Sequence, residues 1–93
     1  MRIIGEIPHP LLKIQVFKMG NKYAIKLETD LIEQTYKLRE SSTIDNFSDV
    51  KKIVDPIFLE AVMERFKIMK KELYEATQRA LPLAKGEEFP FIL

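Results

Sequence analysis

The sequence has no cysteine, one histidine, three glycines and no long apolar run, and each shortage closes a class of chemistry. Without cysteine there are no disulfides, no thiolate metal sites and no cysteine nucleophile, which fits a reducing compartment. Gly5, Gly20 and Gly86 lie too far apart to form a phosphate-cradling loop. His9 stands between Pro8 and Pro10 with only Glu6 as a nearby carboxylate, so the expectation is a turn histidine without a chemical role. Ser41, Ser42 and Ser48 have no other histidine to activate them. Glu60 with Glu64, and Glu87 with Glu88, read as ordinary surface acids. No catalytic residue, metal ligand or cofactor site is predicted.

No window approaches the ~20 apolar residues of a membrane span. The opening run Met1 to Ile4 is far short of a signal-peptide core. A cytoplasmic protein is the expectation. Charge of one sign is also scarce: 15 Lys and Arg stand against 14 Asp and Glu, a net charge of +1. Such a balance supplies none of the field that dominates non-specific nucleic-acid binding.

What is present is a globular pattern, 46% hydrophobic and 31% charged over 93 residues. That length suits one core and not two, so a single domain over 1–93 is expected, with a sheet (1–40), a helical part (47–81) and a tail (82–93). Arg2 to Ile7 reads as a strand with Ile3, Gly5 and Ile7 on one face and Ile4 on the other, stopped by the prolines. Leu11 to Met19 alternates, with Leu12, Ile14 and Val16 on one side and Lys13, Gln15, Phe17 and Met19 on the other. Gly20-Asn21 suits the positive φ angles of a tight hairpin, and Lys22 to Thr29 alternates again.

Leu31 to Glu40 carries two signals. Asp30 followed by Glu33 resembles a helix-capping box, whereas Ile32, Gln34, Tyr36 and Leu38 alternate like a strand. A helix would gather only a thin stripe, and the strand is preferred. After the polar loop from Ser41, Ser48 is expected to cap a short helix over Asp49 to Val54, with Phe47 as its hydrophobic staple. Asp55-Pro56 starts a second helix running to about Ala80 before Pro82, with Glu75 and Arg79 as a surface pair. The predicted fold is thus α+β: a four-stranded antiparallel meander, then a short helix and one long C-terminal helix packed on one sheet face.

Two surfaces follow. Twenty-five helical residues span about 37 Å, and strands of seven or eight residues only about 25 Å, so the helix must overhang the sheet. Leu59, Val62, Phe66, Met69, Leu73, Ala76 and Ala80 recur at alternating spacings of three and four, which suits either a sheet-facing stripe or a helix–helix contact. Leu73, Tyr74 and Ala80, with Phe89 and Phe91 from the apolar tail, form the predicted contact surface for a second copy or another protein. The alternative is a weak single-stranded nucleic-acid binder. It would use Lys13, Phe17, Lys26, Lys37 and Arg39, with Lys22, on the sheet face away from the helix, although such sheets usually carry two or three aromatics. Lys67, Lys70 and Lys71 are too few and too interrupted for a membrane-surface face and read as solvated.

Overall fold

A computed structural model of the chain describes residues 1–81. Four strands, β1 (Arg2–Ile7), β2 (Lys13–Met19), β3 (Lys22–Glu28) and β4 (Glu33–Arg39), form one antiparallel sheet in the order β1-β2-β3-β4. Two helices follow, α1 (Phe47–Ile53) and α2 (Pro56–Ala80), and both pack on the same face. This is the expected α+β meander.

Gly20-Asn21 is the β2–β3 turn, closed by the pair Met19 and Lys22. Only Gly20 takes a positive φ, 59°, so glycine occupies the first central position as a type II′ turn requires, and Asn21 stays at negative φ. Residues 33 to 39 are a strand, which decides between the two signals of that segment. Gln34, Tyr36 and Leu38 pair with Leu27, Ile25 and Tyr23, so one face of β4 joins the core. The Thr29 N–H and hydroxyl both bind the Ile32 carbonyl, at 2.9 and 3.2 Å, and turn the chain where a helix cap was also legible.

Two local expectations are corrected. In β1 the register shifts between Ile3 and Gly5. Ile3 opposes Phe17 on the open face, whereas Gly5 and Ile7 oppose Val16 and Ile14 on the helix face, and Ile4 packs against the core. Strict alternation over β1 therefore fails at a bulge. The short helix begins at Phe47 and is capped by Asn46, not Ser48: the Asn46 side chain accepts the Asp49 N–H at 2.9 Å. Asp49 in turn accepts the Asp45 N–H at 3.1 Å, which holds its carboxyl below the ordinary range, while the hydrogen bond to Asp49 raises that of Asp45. The earlier start sends Phe47, Val50 and Val54 to one side of the turn, toward the sheet.

Ile14, Val16, Ile25 and Leu27 from the sheet and Val50, Val62 and Phe66 from the helices form the buried centre. Asp55 caps α2 by accepting the Phe58 N–H at 2.8 Å, with Pro56 at the first helical position, as expected. The helix is also tied by polar groups. Gln34 Nε2 donates to the Val62 carbonyl at 3.0 Å, and Tyr36 Oη donates to Gln34 Oε1 at 2.6 Å. Arg65 Nη1 donates to Tyr36 Oη at 3.0 Å, and the Phe58 ring stands edge-on to Tyr36 at 5.3 Å. Near the helix end Glu75 meets Lys71 at 3.9 Å; among the described residues it makes no ion pair with Arg79.

Candidate functional site

Helix α2 outruns the sheet. Phe58, Leu59, Val62, Met63, Phe66 and Met69 reach the core, and no described residue beyond Met69 does. Leu73 is 42% exposed, Leu81 70% and Ile68 57%. At 3.6 residues per turn, Leu73, Ala76 and Ala80 continue the line of Val62 and Phe66 past the sheet edge. They form the underside of the overhang. Tyr74 lies about a quarter-turn away on the flank. Of the five residues expected at this surface, Leu73 and Ala80 share the underside, Tyr74 does not, and Phe89 and Phe91 lie outside the described residues.

The flank itself holds a groove of about 440 Å³ between α2 and the β3–β4 turn, lined by Thr29, Met63, Phe66, Lys67, Lys70, Lys71 and Tyr74. Sequence reasoning missed it and placed the three lysines on a plain solvated face. Its signal is the spacing Met63, Phe66/Lys67, Lys70 and Tyr74, three and four apart on one side of the apolar stripe. The groove exists only because Thr29 lies beside that line, and this is a tertiary fact.

The open sheet face carries the predicted basic set. Row by row across β2, β3 and β4, it holds Lys13, Glu28 and Glu33; Gln15, Lys26 and Thr35; Phe17, Ala24 and Lys37; Met19, Lys22 and Arg39. Phe17, Lys26, Lys37 and Arg39 thus occupy adjacent rows, and Phe17, Lys26 and Lys37, with Met19, Ala24 and Glu33, help to line a shallow hollow of about 310 Å³. Lys13 is two rows from Phe17, roughly 13 Å away, in the row of Glu28 and Glu33 and directly beside Glu28. Glu6 beside Gln15 adds a third carboxylate to the face, and Lys26 is within 3.8 Å of Glu28. The positive charge is therefore confined to one end.

His9 is engaged in the β1–β2 connection. Its Nδ1 accepts the N–H groups of Leu11 and Leu12, at 3.0 and 3.1 Å. An open hollow of about 550 Å³ lies beside it, lined by the single run Glu6 to Ile14. With Nδ1 bound to the backbone, the ring organises the turn. Among the described residues no three His, Asp or Glu side chains converge as metal ligands, and no helix is long and apolar enough to cross a membrane. At the far end of the sheet Lys18 bridges to Glu40 at 3.0 Å and lies 4.1 Å above the Tyr23 ring.

No family model, no curated protein and no solved structure matches the chain.

Proposed function

We propose that the chain is a non-catalytic, intracellular protein-interaction module that self-associates through the overhanging half of α2. The observation that carries this reading is the apolar line Leu73, Ala76 and Ala80, which continues the core-facing stripe beyond any sheet that could cover it. A second copy suits this surface because the two alanines permit close approach of a like helix, and the same patch on each copy makes a closed two-fold contact. The alternating three-and-four spacing is the pattern such helix contacts use. A cytoplasmic setting is supported by the lack of cysteine. Light scattering at micromolar concentration tests the proposal: the expected mass is twice the 10.9 kDa of the chain, falling to the single value in Leu73→Glu. A single-chain mass at every concentration overturns self-association.

A second reading is a weak single-stranded nucleic-acid binder on the open sheet face. It is favoured by the adjacency of Phe17, Lys26, Lys37 and Arg39 and opposed by Glu6, Glu28 and Glu33. Fluorescence anisotropy of a labelled oligonucleotide at low salt decides it; absence of binding below about 100 μM ends it.

A further inference from the structure

The flank groove has an apolar floor, Met63, Phe66 and Tyr74, and a rim of three ammonium groups, Lys67, Lys70 and Lys71. Among the described residues no carboxylate belongs to its lining. Glu64 meets Lys67 at 3.2 Å and Glu75 meets Lys71 at 3.9 Å, but both are exposed intrahelical pairs of the kind that contributes little and yields readily. A site so built suits a segment that is acidic and apolar at once. The sequence contains one adjacent pair of acids, Glu87-Glu88, and it is followed at once by Phe89-Pro90-Phe91-Ile92-Leu93. We propose that residues 87–93 occupy the groove of their own copy, with the two glutamates against the lysine rim and Phe89 and Phe91 on the floor.

Chain geometry agrees. Phe66 lies fourteen residues before Ala80, about 21 Å back along the helix axis. Phe89 is eight residues past Leu81, within reach of about 27 Å of chain. A return from Leu81 is therefore long enough for Glu87 and Glu88 to reach the level of Lys70 and Lys71, and for Phe89 and Phe91 to reach that of Phe66 and Met63. Pro90 favours an extended backbone at itself and at Phe89, and in extended chain Phe89, Phe91 and Leu93 share one side. Proline has no N–H to leave unpaired against an apolar floor.

This proposal uses the flank of α2, not its underside, and does not rest on self-association. Nuclear Overhauser contacts in the full-length chain test it, read between the Met63 methyl and the rings of Phe89 and Phe91. The expected result is contacts within a uniformly labelled sample and none across copies in a mixed labelled and unlabelled sample. The charge pair supplies a second arm. Lys70→Glu with Lys71→Glu should weaken those contacts at least several-fold while the Val62 signals stay unchanged, and adding Glu87→Lys with Glu88→Lys should restore them. Absence of the contacts in the unmodified chain overturns the proposal. So does their appearance only between copies, or indifference to both charge reversals. Light scattering on the same samples reports self-association separately.

Discussion

Gly5 decides how closely α1 approaches β1. A Cβ built on it would sit 2.5 Å from Phe47 Cε1, so the ring occupies the space any other residue would need. Its φ is not positive, and replacing a glycine with alanine at such a strand position ordinarily stabilises by up to about 1 kcal/mol. Here the crowding reverses the sign. We expect Gly5→Ala to destabilise by about 1–2 kcal/mol in urea unfolding, as overpacked cores do. In a Phe47→Ala background the loss should vanish; an equal loss in both backgrounds would show that the ring is not its cause. Lys18 offers a residue-scale test with pH. Its hydrogen bond to the Glu40 carboxylate raises the ammonium above the ordinary 10.5, against an opposing desolvation, with Tyr23 adding to the rise. A folded pKa above the unfolded one means that this stabilisation is complete below 10.5 and is lost as pH climbs through the folded value. An NMR titration of the Lys18 side chain should place its midpoint above 10.5, and Glu40→Gln should bring it down toward that value. A midpoint that ignores Glu40→Gln contradicts the assignment.

Between elements, β4 and α2 are joined by a short polar chain set in an otherwise apolar contact. Tyr36→Phe keeps the ring against Phe58 and removes only the hydroxyl, leaving Gln34 Oε1 with Arg65 Nη1 at 3.4 Å. Because Gln34 is buried, we expect a loss of about 1–2 kcal/mol, checked by urea unfolding. A variant as stable as the parent would mean that the hydroxyl does nothing for the β4–α2 contact. The same contact shows how much of the fold was legible. Hairpin β2–β3 and helix α2 were plain because each is set by local chemistry: Gly20-Asn21 in one, Asp55-Pro56 with an unbroken stripe in the other. Residues 31–40 carried both periods, and the choice fell to strand because β3 offers Tyr23, Ile25 and Leu27 as partners. The bulge at Ile3 to Gly5 was not legible. Within Arg2 to Ile7 its one signal is Gly5, since a lone glycine inside a strand marks either a bulge or a close approach, and the Phe47 ring that approaches it lies more than forty residues away. Asn46 does not stand out as the cap for a related reason: Ser48 is an equally good local signal, and the demand that Phe47 lie inside the helix comes from the sheet. Of the candidate site, the overhang was legible from lengths alone, whereas the flank groove required knowing which turn lies beside Lys67 and Lys70.

The described residues form an elongated body, 56 × 26 × 17 Å with a radius of gyration of 16.5 Å, where a compact chain of such length has about 12 Å. A projecting half-helix has fewer apolar neighbours to hold its hydrogen bonds closed, so stability should fall along α2. In Leu73→Glu, amide exchange measured by NMR is expected to be slowest near Val62 and Phe66 and at least tenfold faster over 73–80. Uniform protection along the rod would argue against the gradient.

The break in register at Ile3 to Gly5 has a consequence for how copies can meet. Strands at the margin of a sheet present unpaired amides and carbonyls that invite a further strand, and an irregular or charged margin discourages it. Here one margin is kinked by the bulge, and the other carries Glu33, Lys37 and Arg39. Both margins thus discourage ribbon-like growth, and under the proposed self-association this favours a meeting of helix with helix.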